Sequence, residues 1–117
     1  MANHNNTGKQ GEGLALKYLS DQGFRILHTN WRYSRYEIDI IAERNNILHF
    51  IEVKTRRSDK YGMPEEGVTV KKFESVSKAA EIFLEENPGW KRIQFDTLAI
   101  MLKNNGTEYF LIEDVAL

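Results

Sequence analysis

Apolar positions recur with two different periods along the chain, and the changes of period divide it into helices and strands. A helical spacing begins near Thr7 and stops at Gly23, a residue typical of helix C-termini. A second helical spacing covers residues 70–86, with Thr69 as a candidate N-cap and Pro88 just beyond its end. The pattern therefore predicts one helix at the N-terminus and one in the second half of the chain.

Strand-like alternation covers most of the remaining sequence. The predicted strands are 24–30, 37–44, 47–55, 92–102 and 107–114. Residues 31–35 are predicted to be a basic, aromatic connection, and residues 56–68 a loop. The predicted order is αβββαββ, which indicates an α/β protein, and a chain of 117 residues is expected to form a single domain over 1–117.

The composition is that of an ordinary soluble globular protein, with 41% hydrophobic and 28% charged residues. No apolar run approaches the roughly 20 residues of a membrane helix, and the first ten residues lack the apolar core of a signal peptide. The absence of cysteine excludes disulfides, thiolate zinc sites and cysteine nucleophiles. A cytoplasmic protein without membrane association is therefore expected.

Basic residues are concentrated on one segment, although the net charge is only −1. The cluster consists of Lys54, Arg56, Arg57, Lys60, Lys71 and Lys72. Upstream, Trp31, Tyr33 and Tyr36 alternate with Arg32 and Arg35, a composition suited to stacking on bases and pairing with phosphates. A solvated loop and core packing by at least one aromatic ring explain the same residues without any ligand.

The turn between the second and third predicted strands places acidic residues opposite one another. Asn45-Asn46 suits a tight primed turn, and pairing Arg44 with Ile47 then sets Asp39 opposite Glu52. The same register sets Glu37 opposite Lys54, and alternation directs all four side chains to one side of the sheet.

Two carboxylates about 5 Å apart repel each other unless a cation or a proton lies between them. Oxygen ligands favour a hard divalent ion, Mg²⁺ or Mn²⁺, and Lys54 would stabilise charge that develops nearby. An ordinary strand pair with a solvated, salt-bridged polar face is the alternative.

Three further residues could belong to this site or to the core. Glu12 falls at the margin of the apolar stripe of the first helix, where a carboxylate is costly unless it is satisfied. It could contribute a third acidic group, or it could be a helix-start charge that favours the helix dipole. His49 is predicted to face away from Glu52, in a surface or core position. Asp96 could support the site through a neighbouring residue or be a buried hydrogen-bond acceptor, and its alternation with Leu98 and Ile100 favours the acceptor.

Several of these motifs together resemble a known family. The segments Gly11-Glu12, Glu37-Ile38-Asp39, 50–56, Tyr61-Gly62 and Gln94-Phe95-Asp96 are similar to the YraN-type family of uncharacterised bacterial proteins. That family belongs to the PD-(D/E)xK nuclease-like superfamily and is similar to archaeal Holliday junction resolvases. The resemblance implies a restriction-endonuclease-like core, in which helices flank a mixed five-stranded sheet.

The resemblance also assigns the catalytic positions of the superfamily to Glu12, Asp39, Glu52 and Lys54. One departure is Tyr36, where the family usually has glycine; its ring could narrow the mouth of the site or stack on a base.

The resulting hypothesis is a Mg²⁺- or Mn²⁺-dependent endonuclease that acts on DNA rather than RNA, with a branched or otherwise structured substrate. Glu12, Asp39 and Glu52 would bind the metal, and Lys54 would stabilise the transition state. The expected nucleic-acid contacts are Arg32, Arg35, Tyr36, Arg56, Arg57, Lys60, Lys71 and Lys72. The alternatives are a nucleic-acid-binding module without turnover and an assembly protein that forms a homodimer through a sheet edge or helix.

Overall fold

In the part of the chain that the structure describes, two helices and five strands follow one another in the predicted order αβββαββ. The computed structural model describes the backbone of residues 2–57 and 70–114 and the side chains of residues 8–57 and 73–114. The elements are α1 (Ala2–Asp21), β1 (Arg25–Tyr33), β2 (Tyr36–Arg44), β3 (Ile47–Arg57), α2 (Val70–Glu86), β4 (Ile93–Lys103) and β5 (Gly106–Ile112).

The five strands form one sheet in the spatial order β1-β2-β3-β4-β5. Only β3 and β4 are parallel, whereas the other neighbours are antiparallel. A parallel pair needs a long crossover connection, and here that connection contains α2. The mixed sheet confirms the predicted α/β class.

Each face of the sheet is covered by one helix, because alternating strand residues carry apolar side chains to both sides. The face that packs against α1, which we call the α1 face, contributes Ile40, Ala42, Ile51, Leu98, Ile100 and Leu102. The opposite face, the α2 face, contributes Ile38, Ile41, Leu48 and Phe50. Phe83 of α2 lies at the centre of this second cluster and makes edge contacts with Trp31 and Phe50. Polar side chains of different strands can therefore lie close together only where they project from the same face of the sheet.

The tight turn between β2 and β3 is confirmed in detail. Asn45 and Asn46 both have positive φ, 57° and 66°, as a type I′ turn requires. Asparagine tolerates this conformation better than other non-glycine residues. The turn fixes the register of the strands that carry Asp39 and Glu52.

The predicted boundaries of α1 and β1 differ from the structure by several residues. Helix α1 begins at Ala2 rather than near Thr7, because the preceding residues contain no proline or glycine that would oppose a helix. Strand β1 continues to Tyr33, so the prediction of a connection over 31–35 was wrong. Trp31 packs into the α2-face cluster while Arg32 is exposed, which is the alternation of a strand rather than of a loop.

Arg56 and Arg57 belong to β3 and not to the predicted loop. Thr69, Lys60 and Tyr61-Gly62 lie outside the described residues, as does the rest of the predicted loop. Lys71 and Lys72 lie in the first turn of α2, but their side chains are outside the described part of the chain. Among the described helices, neither is long and apolar enough to cross a membrane.

Candidate metal and nucleic-acid site

The register of β2 and β3 follows the prediction as far as the ladder extends. Its pairs run from Arg44–Ile47 to Ile40–Ile51, so the paired residue numbers sum to 91. Asp39 and Glu52 come directly after the last pair of this ladder. The predicted opposition of the two carboxylates therefore falls where the two strands stop pairing.

Strand β2 changes its facing at Asp39. Ile38 and Ile40 are two residues apart and would share a face in a regular strand, yet Ile38 lies in the α2-face cluster and Ile40 in the α1-face cluster. On the other side, β1 pairs through Thr29–Ile40 and then Trp31–Ile38, and the intervening Asn30 has a φ of 52°. Because both strands are irregular here, regular alternation does not determine the face of the sheet on which the Asp39 side chain lies.

The Asp39 carboxylate reaches sideways to β3. Its Oδ2 accepts a hydrogen bond from the backbone N–H of Val53 at 2.8 Å. Val53 lies between Glu52 and Lys54, so this bond holds Asp39 beside the backbone that carries both residues. All three charged side chains are half-buried. The sequence predicted the proximity of Asp39 to β3, but not the bond that produces it.

Glu52 and Lys54 are positioned by the regular pairing of β3 with β4. This parallel register continues without a shift from Leu48–Ile93 to Arg57–Leu102. Since Phe50 lies on the α2 face, alternation places Glu52 and Lys54 on that face too. Arg56 continues the same row, whereas Arg57 faces the other side of the sheet.

Glu37 takes a different direction from the predicted one. The sequence placed it opposite Lys54, but the ladder of β2 and β3 ends before that position. Instead Glu37 pairs with Arg32 of β1, and the carboxylate Oε2 lies 3.3 Å from the guanidinium. The charge of Arg32 is therefore balanced within the β1–β2 hairpin.

Gly11 brings α1 unusually close to β3. A Cβ added to this buried residue would lie 2.1 Å from Oγ1 and 3.0 Å from Cβ of Thr55, so no other residue fits without a shift. The close approach fixes the position of the adjacent Glu12 along the direction of β3.

Glu12 itself is exposed, so the predicted cost of burying its carboxylate does not arise. Tyr18 stacks on Tyr109 of β5 with the ring centroids 4.6 Å apart, which directs one flank of α1 towards β5. At 3.6 residues per turn, Glu12 lies on the other flank of the buried line through Gly11 and Ala15. That flank faces away from β5, towards the half of the sheet that contains β1 and β2, the strand that carries Asp39.

A second polar group lies on the α1 face and is buried. His49 Nδ1 and Asp96 Oδ2 are 2.6 Å apart, and both side chains are almost inaccessible to solvent. The other oxygen of Asp96 accepts hydrogen bonds from Gln94 Nε2 and from the backbone N–H of Asp114, both at 3.0 Å. This confirms that Asp96 is a buried acceptor and that His49 faces away from Glu52.

Glu113 joins His49 and Asp96 to form a group that could hold a metal ion. Among the described residues, these three have ligand atoms within 4.8 Å of one another. However, Glu113 Oε1 already accepts hydrogen bonds from Arg44 at 3.2 Å and Gln94 at 3.1 Å. A cation would have to displace these donors, so we interpret the group as a hydrogen-bonded network that ties the end of β5 to β3 and β4.

The predicted ligands Glu12, Asp39 and Glu52 do not form such a close trio within the described part of the chain. The His49 group could not be predicted from the sequence, because its members are far apart in the chain and have no ligand spacing.

The aromatic residues of the β1–β2 hairpin divide into core and surface. Trp31 packs edge-on against Phe83 and belongs to the core, as the alternative interpretation of these rings expected. Tyr33 is 50% exposed, and Tyr36 is half-buried. The guanidinium of Arg35 lies over the ring of Tyr36, 5.2 Å from its centroid.

The order αβββαββ and a mixed sheet with a helix on each face are consistent with a restriction-endonuclease-like core. Asp39 on one strand and the Glu52-Val53-Lys54 segment on its neighbour lie where that sheet opens. The architecture thus places the protein in the class of restriction-endonuclease-like α/β folds.

The chain belongs to the uncharacterised protein family UPF0102, whose model matches residues 11–100. It is 40% identical to a UPF0102 protein of Christiangramia forsetii over 97% of this chain and 96% of the relative. A UPF0102 protein of Flavobacterium psychrophilum is 42% identical, over 86% of this chain and 84% of its own. A third, from Dictyoglomus turgidum, is 42% identical over 89% of both chains. These matches confirm the YraN-type resemblance, and the names of the relatives state no activity.

Proposed function

We propose that this protein is a metal-dependent phosphodiesterase that acts on nucleic acid, with DNA as the preferred substrate. The observation that carries the proposal is the hydrogen bond from Val53 N–H to Asp39 Oδ2, at 2.8 Å. It brings the acidic residue of β2 to the segment of β3 that holds Glu52 and Lys54. The resemblance to PD-(D/E)xK nucleases assigns catalytic roles to the same three residues.

The donor set fits Mg²⁺ or Mn²⁺. Asp39 and Glu52 offer carboxylate oxygens from half-buried positions, and hard divalent cations prefer oxygen ligands. A bound ion of this kind would activate water and stabilise charge on a phosphoryl group. Asp39 and Glu52 would hold it at the open end of the ladder between β2 and β3. Glu12 lies on α1, across the sheet from Glu52, so it would complete the ligand set only by reaching past the end of the β2–β3 ladder.

Lys54 would act on the phosphate rather than on the metal. Lys54 follows Glu52 by two residues on a strand whose register has no shift, so both side chains project from the α2 face. An ammonium group at this position could stabilise negative charge on the phosphoryl group in the transition state. Arg56, one further step along the row, would hold the adjoining phosphate of the strand.

The experiment is a cleavage assay with branched, single-stranded and duplex DNA, with Mg²⁺ or Mn²⁺ present or replaced by EDTA. We expect metal-dependent cleavage of at least one substrate by the wild-type protein. Asp39→Asn removes the charge but keeps an oxygen that can accept the Val53 N–H, so the fold should persist while cleavage is lost. The matched control is Asp21→Asn on α1, whose carboxylate is 61% exposed and pairs only with Lys17 among the contacts described.

Full cleavage by Asp39→Asn would contradict the proposed role of this residue. Metal-independent binding without cleavage of any substrate would instead favour the nucleic-acid-binding module.

A further inference from the structure

We infer that the tip of the β1–β2 hairpin, residues 33–36, is a platform for stacking an unpaired base, with Tyr33 as its principal contact. The inference deepens the proposed function and rests on it for nucleic acid as the substrate. It names the class of substrate: a nucleic acid with unstacked bases beside a duplex, as at a fork or a branch point.

The tip presents aromatic surface to solvent in a fixed geometry. Tyr33 and Tyr36 are the last pair of the hairpin and face each other across a two-residue turn in which Ser34 has a φ of 57°. Tyr33 is 50% exposed, the highest exposure among the large hydrophobic side chains of the described residues. Such a ring has a free face on which a base could stack.

Arg35 adds a cation to the same tip. Its guanidinium lies 5.2 Å from the centroid of the Tyr36 ring, and Nη2 donates to the Tyr36 hydroxyl at 3.3 Å. Arg32, by contrast, is paired with Glu37. Arg35 is therefore the hairpin cation placed to contact a phosphate next to a stacked base.

The platform faces the same side of the sheet as the proposed site. Trp31 and Ile38 pair two positions before the tip; Ile38 lies in the α2-face cluster and Trp31 packs against it. Tyr33 and Tyr36 are each two residues further along their strands, so they share the α2 face with Glu52 and Lys54. A nucleic-acid strand on this face could contact both places at once.

The separation along β2 fits a short run of nucleotides. Tyr36 precedes Asp39 by three residues, which corresponds to about 10 Å of strand. The rise of about 3.4 Å per nucleotide in stacked DNA is the shortest spacing, so a base at the tip would lie at most about three nucleotides from a phosphate at Asp39. Within a duplex both faces of a base are already covered, and a tyrosine ring can stack only on a base that has lost a neighbour. The platform should therefore distinguish unpaired from fully paired substrates, without reading sequence.

The test measures binding in EDTA, so that cleavage plays no part. The probes are a forked DNA with 2-aminopurine in its unpaired arm, a single strand and the fully paired duplex of the same sequence. Tyr33→Ala should weaken binding to the fork and the single strand by about 5- to 100-fold, the range for loss of one base–aromatic stack. Binding to the duplex should be unchanged.

Tyr33→Phe keeps the ring and should retain both the affinity and the quenching of 2-aminopurine. Phe110→Ala removes another exposed aromatic ring, on β5 at the far edge of the sheet, and should behave as wild type.

Equal loss on all three probes, or none with Tyr33→Ala, would overturn the inference. A cleavage assay of the same proteins separates the two proposals. If the wild-type protein cleaves and Tyr33→Ala does not change binding, the platform is rejected and the phosphodiesterase proposal stands. Tyr33-dependent fork binding without cleavage removes the phosphodiesterase and leaves the platform in a binding module. Absence of both binding and metal-dependent cleavage with every probe removes both proposals.

Discussion

Gly11 and Thr55 are in contact where α1 crosses β3, and the contact leaves no room for a side chain at position 11. The nearest atom to an added Cβ would be Thr55 Oγ1 at 2.1 Å, followed by Thr55 Cβ at 3.0 Å. Helix α1 lies on the α1 face, whereas the side chains of Glu52 and Lys54, on the same strand as Thr55, project from the α2 face. The Gly11–Thr55 contact therefore sets the position of Glu12 relative to a site whose other residues lie across the sheet.

We expect Gly11→Ala to destabilise the protein by about 1–2 kcal/mol. Overpacking against Thr55 costs about 1–3 kcal/mol, and the higher helix propensity of alanine offsets part of this. Gly13→Ala on the same helix is the matched control, because its added Cβ would meet nothing within 4 Å. That variant should be as stable as wild type or more so. Urea denaturation measures both.

The double variant Gly11→Ala/Thr55→Gly tests whether the loss arises from this contact. Removing the Thr55 side chain clears the three atoms nearest to the new Cβ, so the coupling between the two changes should be favourable and at least about 0.5 kcal/mol. Additive losses would place the cause elsewhere.

A divalent metal should stabilise the folded protein through Asp39. A site with a Kd of about 1 mM gains about 1.4 kcal/mol at about 10 mM metal, which is a rise of several degrees in Tm. Asp39→Asn should abolish the rise while it preserves the acceptor for Val53 N–H. Thermal denaturation with and without Mg²⁺ or Mn²⁺ measures the effect.

Glu113→Gln is the control that separates the two candidate metal groups. Glu113 is exposed and belongs to the His49 network, so this variant should keep the metal-induced rise in Tm. Loss of the rise in Glu113→Gln and its retention in Asp39→Asn would move the metal site to His49 and Asp96.

Arg56 and Arg57 should contribute unequally to binding nucleic acid. They are neighbours on β3, so their side chains project from opposite faces of the sheet. Only the Arg56 side chain is on the same face as Lys54. Arg56→Ala should weaken binding to all sequences alike and reduce the salt slope by about one, whereas Arg57→Ala should change neither. Fluorescence anisotropy over a range of salt concentrations gives both slopes. Equal salt slopes for the two variants would contradict the proposal that nucleic acid binds on the face of β3 from which Arg56 projects.

The acid limb of the stability curve should depend on Glu43. The backbone N–H of Asn46 and then the Arg25 guanidinium donate to this carboxylate, each at 3.0 Å, and lower its pKa below the ordinary value of 4.5. Because the folded pKa is depressed, the stabilisation is present above the ordinary pKa and is lost as pH falls through the folded value.

Glu43→Gln should flatten the loss of stability between about pH 5 and about pH 2, with little change in the slope at neutral pH. Denaturation at a series of pH values measures this. An acid limb as steep as that of wild type would show that these hydrogen bonds do not persist in solution.

Much of the fold follows from local sequence. The helical period over 70–86 gives α2 with the observed bounds, and Asn45-Asn46 gives the turn and register of β2 and β3. Both depend on residues close together in the chain, whose conformational preferences act whatever surrounds them. The role of Asp96 as a buried acceptor could likewise be predicted, because its strand alternation places it beside Leu98 and Ile100.

The geometry of the candidate site depends on contacts between distant residues. Nothing near Asp39 in the sequence indicates that β2 changes face there, since that change also involves Asn30 of β1 and the end of the ladder with β3. The exposure of Glu12 depends on how closely Gly11 approaches Thr55, a contact between residues far apart in the chain. The grouping of His49 with Asp96 and Glu113 requires three strands to be assembled. The sequence by itself determined which residues carry the charges and the order of the elements, whereas the directions of the side chains were decided only when the strands and α1 packed together.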